Sequence, residues 1–214
     1  MSEVAPAAGD KEGRRSRKRR QTRGRIEKAA LALFLERGFA QTTIDDIAEA
    51  ADVSKRSFFD YFPSKDEVVF AWQDSFADDL AAAVAARPPG EPLLRVAEEA
   101  LRAAILAAFT PQSMALVDLI RDTPALCARD HLKYARLEGR LTSALLARCG
   151  DTQAPRLRIR LLSAVVIGAM RVGGETWHAE PRPDAPEDFV RDLFTELREL
   201  LATFGGSAED GLLR

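Results

Sequence analysis

A chain of 214 residues, 46% hydrophobic and 30% charged, has room for a small domain attached to a medium one, each able to bury a core. No apolar run approaches the roughly 20 residues needed to cross a bilayer, and the opening MSEVAPAAGD lacks the charged start and apolar stretch of a secretory signal, so a cytoplasmic setting without a membrane partner is expected. The formal net charge of −2 divides unevenly: residues 1–70 are net +2, the rest net −4, and residues 11–25 (KEGRRSRKRRQTRGR) hold nine basic side chains against one acidic, which points to a polyanionic partner.

Strand signals are weak throughout, whereas Ala, Leu, Arg and Glu recur at helical spacing, so the fold class is all-α with about nine helices. Residues 1–21 combine low hydrophobicity with dense charge and are expected to be a disordered basic arm. A first helix is expected from near Thr22: Ile26, Ala29, Ala30, Leu33 and Phe34 share one face, and Gly38 ends it. Thr42-Thr43-Ile44-Asp45-Asp46 sets hydroxyls before a helix and acids in its first turn, so a second helix runs through Ile47 and Ala48 to about Ala51. After a break at Asp52-Val53-Ser54, Lys55 to Phe62 forms a short third helix with Ser54 as N-cap, stopped by Pro63. Ser64-Lys65-Asp66-Glu67 has the S-x-x-E form of a capping box and opens a fourth helix through Val68, Val69, Trp72, Phe76 and Leu80. Past Pro88-Pro89-Gly90, helices are expected over 93–109, from Pro111 through Ile120, over 125–148 ending at Gly150, over 155–172 closed by Gly173-Gly174, and, after a loop with Pro181 and Pro183, from Pro186 through Phe204. The domains expected are the arm (1–21), a helix-turn-helix head (22–68), a larger helical domain (69–206) and a flexible tail (207–214).

Two short helices joined by a tight turn, the second opening on Lys-Arg-Ser, have the form that lays a recognition helix in the major groove. From Ala29-Ala30, Leu33-Phe34 and Gly38-Phe39 through Thr42-Thr43-Ile44, Ile47-Ala48 and Val53-Ser54 to Tyr61-Phe62 and Ser64-Lys65, residues 22–68 resemble the head of the tetracycline-repressor (TetR) family of transcriptional regulators. Basic side chains at the start of a recognition helix can reach guanine O6 and N7, so Lys55 and Arg56 are the candidate base readers. The resemblance implies phosphate contacts by Thr43, Ser54, Ser57, Tyr61 and Lys65; Thr43 and Ser54 also serve as helix caps, and Tyr61 can pack. Two positions depart from the family pattern: Asp52 stands where glycine is usual in the turn, and Phe59 where a phosphate-binding tyrosine is usual. Asp tolerates a left-handed backbone better than most residues, so the turn survives, while Phe59 lacks the hydroxyl contact. The arginines of the arm are expected to make up for it, by tracking phosphates or by entering a minor groove.

The resemblance further implies a homodimer on a palindromic double-stranded DNA operator, formed by the last two helices, whose apolar Leu162, Val165, Val166, Ala169, Phe189, Leu193, Phe194 and Leu197 are the candidate interface. It also implies a small-molecule effector whose binding moves the fourth helix; the large apolar residues Phe109, Met114, Val117, Ile120, Tyr134, Leu137 and Trp177 are its candidate lining. The run Lys55 to Val69 resembles a branch of that family, common in actinobacteria, with an acyl-CoA-like ligand domain, for which Arg121, Arg129 or Arg136 would meet the phosphates. His131 and His178 are isolated, and Cys127 and Cys149 show no metal-ligand spacing, so no metal or other cofactor is expected. No catalytic motif points to an enzyme. The alternative of a helical protein-interaction module without specific DNA binding leaves the Lys55-Arg56 helix and the arm without a purpose.

Overall fold

The computed structural model describes residues 8–149, 156–179 and 185–210, which form ten helices: α1 (Ala8–Arg37), α2 (Ile44–Ala50), α3 (Lys55–Phe59), α4 (Lys65–Ala86), α5 (Leu93–Ala108), α6 (Pro111–Asp122), α7 (Pro124–Asp130), α8 (Leu132–Cys149), α9 (Arg156–Ala179) and α10 (Pro186–Asp210). No strand occurs among the described residues. The expected Gly150 stop, the start at 155, the Pro181–Pro183 loop, residues 1–7 of the arm and residues 211–214 of the tail lie outside them, as does the Phe204 side chain.

Four differences from the expected layout have physical causes. Residues 8–21, expected to be disordered, extend α1, since no proline interrupts Ala8–Arg37 and Ala, Arg, Lys and Glu are strong helix formers. The helix expected over 125–148 is broken at His131 into α7 and α8. The pair Gly173-Gly174 does not close α9, which runs on to Ala179. Gly173 is buried there because α10 passes so close that a Cβ would stand 2.5 Å from a methyl of Leu193. Finally, the first compact unit contains the described residues up to Trp72 together with Met114–Ala128, and the second contains Gln73–Ser113 with those from Arg129 onward. The boundary expected at 68/69 therefore gains a second crossing, because Leu116, Ile120 and Leu126 pack in one core with Val68, Val69, Phe70 and Ala71.

In the first unit that core also takes Ile26, Ala30, Leu33 and Phe34 from α1, Ile47 from α2, and Phe58 and Phe62 around α3. The α1–α2 corner is closed by Thr42, fully buried, whose hydroxyl donates to the Gly38 carbonyl (2.9 Å) and the Leu33 carbonyl (3.3 Å), satisfying the end of α1.

In the second unit α4, α5, α8, α9 and α10 share a core that includes Leu80, Val84, Leu101, Leu141, Leu145, Ile167 and Phe194. Glu98 of α5 is buried at its edge, with one carboxylate oxygen 3.0 Å from the Arg198 guanidinium and the other without a hydrogen-bond partner among the described residues. Burial raises the Glu98 carboxyl above its ordinary value, against the opposing pull of Arg198. A raised carboxyl favours folding below the ordinary value of 4.5, and that contribution is lost as pH rises through the folded-state value. Urea melts on either side of that window should show the native chain losing stability relative to Glu98→Gln as pH rises; parallel curves would contradict it.

Candidate nucleic-acid interface

The head is organised by backbone chemistry at the starts of its two short helices. Thr43 caps α2 in a reciprocal box: its hydroxyl accepts from the Asp46 N–H (3.1 Å), and the Asp46 carboxylate accepts from the Thr43 N–H (2.8 Å). The Thr43 bonds are also the main reason that the Asp46 carboxyl is held below its ordinary value. Ser54 caps α3, accepting from the Ser57 N–H (3.1 Å), and its own hydroxyl donates to the Ser57 hydroxyl (3.0 Å). Both caps leave N–H groups at exposed helix starts, the arrangement that receives a phosphate oxygen.

Between the two helices the chain reverses at Asp52, whose φ of +51° lies in the left-handed region, unlike any other non-glycine among the described residues. The aspartate standing in the glycine position thus holds the expected turn, and the Val53 N–H closes it on the Ala48 carbonyl (2.9 Å). A β-branched side chain is strained at such a φ, so Asp52→Val should cost about 1–2 kcal/mol in urea denaturation while Asp52→Gly costs little. Equal stabilities for the two variants would contradict the turn's role.

The five residues of α3 are positioned from beneath by Phe58, fully buried, and by Phe62 just after it. That leaves Lys55, Arg56 and Phe59 exposed on the outer side, with Ser57 and Tyr61 half-buried. The Lys55 ammonium pairs with Asp45 (2.9 Å) in an exposed ion pair, an interaction weak enough to be exchanged for a base or a phosphate. Arg56 has no ion pair among the described residues. Tyr61 lies under the Arg19 guanidinium (5.4 Å to the ring centre), which also donates to the Asp60 carbonyl (3.3 Å). Arg23 stands 4.7 Å over the Phe62 ring, and Arg25 lies 3.7 Å from the Asp52 carboxylate. The basic stretch of α1 is therefore joined to the end of α3, while Arg15, Arg17, Lys18 and Arg20 remain exposed.

Lys65, expected to meet phosphate, is used inside the head. Its ammonium donates to the carbonyls of Phe39 (2.7 Å) and Thr42 (2.8 Å) and stands 4.4 Å from the Phe39 ring centre. Nothing in the sequence pattern distinguishes such a tie from a phosphate contact, because both need a lysine at the start of α4.

The seven candidate effector contacts are divided between the units. Met114 and Val117 are half-buried in the first, and Ile120 is part of its core. In the second, Leu137 is core, whereas Phe109 meets Trp177 edge to face (5.5 Å between ring centres) and Trp177 meets Phe189 (5.0 Å). Tyr134, on α8, is half-buried, with the Lys133 ammonium 4.8 Å from its ring centre and burial raising its hydroxyl above the ordinary value. Lys133 in turn pairs with Asp130 at 2.5 Å, both largely shielded from solvent. Of the three candidate arginines, Arg121 pairs with Asp118 (3.2 Å) of its own helix, and Arg129 and Arg136 belong to the second unit.

The candidate dimer residues also separate. Val166 and Phe194 are buried in the core of their own unit and are corrected from interface to core; Phe189 is half-buried against Trp177. Leu162, Ala169, Leu193 and Leu197 are half-buried, and Val165 is exposed. The exposed apolar stripe of α9 is instead Leu157 (68% exposed), Leu161 (59%), Val165 and Val172, accompanied by Leu200 and Leu201 on α10. Only Val165 of these was expected. The buried stripe of the same helix runs Ile159, Ser163, Val166, Gly173, Trp177.

Comparison with known proteins matches residues 26–72 to bacterial regulatory proteins of the tetR family and residues 91–204 to the MftR C-terminal domain. The HTH-type transcriptional regulator TcmR of Streptomyces glaucescens is 33% identical over 180 residues, covering 80% of each chain. Among solved structures, a TetR-family transcriptional regulator from Streptomyces coelicolor shares 20% identity at a TM-score of 0.56, covering 92% of this chain and 99% of that one. NalD, the secondary repressor of the MexAB-OprM multidrug efflux pump in Pseudomonas aeruginosa, shares 20% identity at a TM-score of 0.55, covering 84% and 96%. At that identity the two structures speak for the fold.

Proposed function

The chain belongs to the TetR family of bacterial regulatory proteins, and on that premise we propose that this transcriptional regulator is a repressor that binds a palindromic operator as a homodimer and is released by a small apolar or acyl-CoA-like effector. The observation that carries the DNA part of the proposal is the capped α3, with Lys55 and Arg56 exposed at its start and, among the described residues, no apolar partner on its outer side. Two copies reading half-sites about one helical turn of DNA apart would supply the specificity that a single five-residue helix lacks. Support for the dimer is the α9 stripe of Leu157, Leu161, Val165 and Val172. The acyl-CoA part is supported by the match of residues 91–204 to the MftR C-terminal domain. DNA, effector and second copy are the partners of a protein working in the cytoplasm.

A gel shift on DNA next to the protein's own gene, against unrelated DNA of equal length, tests the reading. Retention of the specific fragment at salt that releases the other supports it; equal retention favours a helical module without specific DNA binding. A thermal-shift panel of acyl-CoAs, drugs and free fatty acids tests the effector, and no stabilisation by any thioester rejects the acyl-CoA part. The helical start of α1 favours phosphate tracking over minor-groove entry, because an α-helix with side chains is too wide for a groove of about 6 Å. Deleting residues 1–21 should therefore weaken binding several-fold and flatten its salt dependence by about 0.9 in log–log slope for each phosphate lost. An unchanged slope would remove the arm from the interface.

A further inference from the structure

Among the described residues of the head, Phe59 is the aromatic side chain most exposed to water. Phe34, Phe58, Phe62 and Phe70 are buried, Phe39 carries Lys65 against its face, and Tyr61 carries Arg19. Phe59, the last residue of α3, is 48% exposed. Its ring is not loose, since it stands edge to face on Phe58 at 5.6 Å and 89°. It lies four positions after Lys55, so the two side chains share one face of the helix, with Arg56 on the adjoining side. The surface formed by Lys55, Arg56 and Phe59 is thus two cations and one rigid apolar plate.

What such a plate meets in a major groove is restricted by chemistry. Base edges there offer hydrogen-bonding groups with a single apolar exception, the C5-methyl of thymine. A phenyl ring has no donor for a phosphate oxygen, and the exposed Asp60 carboxylate beside it repels one. We propose that Phe59 is a specificity-determining residue that covers a thymine methyl in the operator, so that this position selects thymine where a tyrosine hydroxyl would meet the backbone. The proposal rests on α3 entering the major groove.

Replacing thymine by uracil removes only that methyl and leaves pairing and hydrogen-bonding groups in place. The probe is a duplex enriched from a random-sequence pool by the full-length chain, with each thymine changed singly to uracil and binding followed by fluorescence anisotropy. Burial of one methyl corresponds to about fourfold in affinity. The native protein should lose about that much at one thymine of a half-site and nothing at the others. Phe59→Leu should keep the sensitivity, and Phe59→Ala should lose it; if the alanine variant melts early, Phe59→Gln takes its place. Indifference of the native protein to uracil at every thymine, or sensitivity kept by the alanine or glutamine variant, overturns the inference while leaving DNA binding intact. Failure to enrich any duplex overturns the DNA-binding proposal itself, and this inference with it.

Discussion

Arg56→Ala should reduce operator affinity by between about 30-fold and 10⁴-fold while leaving the fold unchanged. Arg56 is exposed and forms no ion pair among the described residues, so its removal costs the free protein nothing that the structure shows. A bidentate contact to guanine contributes roughly 1–3 kcal/mol of discrimination, and in a two-fold complex the loss is counted in both half-sites, about 2–6 kcal/mol in all. The decisive measurement compares operator with scrambled DNA at one salt concentration. A base reader loses far more on the operator. A loss of equal size on both would make Arg56 a phosphate contact, and affinity within threefold of native would remove it from the interface. Lys55 should matter less, because breaking its pair with Asp45 offsets part of whatever it gains on DNA.

The second large effect is expected at the α9 stripe. Leu161→Glu places a carboxylate in the middle of Leu157, Leu161 and Val165, all exposed in the single chain, so the fold of one copy should survive. If two copies bury this stripe against each other, each loses the transfer energy of a leucine, about 1.5–3 kcal/mol, and must also dehydrate a charge, and symmetry doubles both. Light scattering at 10 micromolar, on the order of a typical working concentration, should then report a monomer, and operator affinity should fall by about 100-fold or more as the two half-sites are read separately. A dimer that persists would place the interface elsewhere. Val166→Ala is the useful contrast, since it opens a cavity in the core and should lower thermal stability without changing the association state.

Much of the head could be read from its residues because each local choice has one answer there. A Thr-x-x-Asp box, a left-handed turn and a Ser cap occur at fixed positions along the chain, and Thr43, Asp52 and Ser54 do what their types predict. Asp52 tolerates its left-handed conformation as its residue type leads one to expect. The stripes of α9 could not be separated in the same way. A helix apolar nearly all round carries two apolar faces, and periodicity gives the faces without saying which one the rest of the unit covers. The sequence pattern therefore puts Val166 outward and does not single out Leu161, although the exposed and buried stripes are offset by only one or two residues. Gly173 differs from its expected role for a related reason: a glycine at a helix stop and one at a close crossing look alike in sequence, and Leu193 passing beside it makes this one a crossing. Likewise, a helix from Pro111 gives no sign that Leu116 and Ile120 will join the core of a domain that ended forty residues earlier in the chain.

The tie made by Lys65 changes how the head can respond to a moving α4. Its ammonium holds the carbonyls of Phe39 and Thr42, so the first turn of α4 is fastened to the corner just before α2. Thr43, one residue later, caps α2, and Val68 to Ala71 sit in the same core as Phe58 and Phe62. A force on α4 is therefore delivered at two places at once, by a polar strap at one end of the head and by packing beneath α3 at the other. If an effector acts through α4, a head fastened at both places would move as a block and keep its chemical pattern.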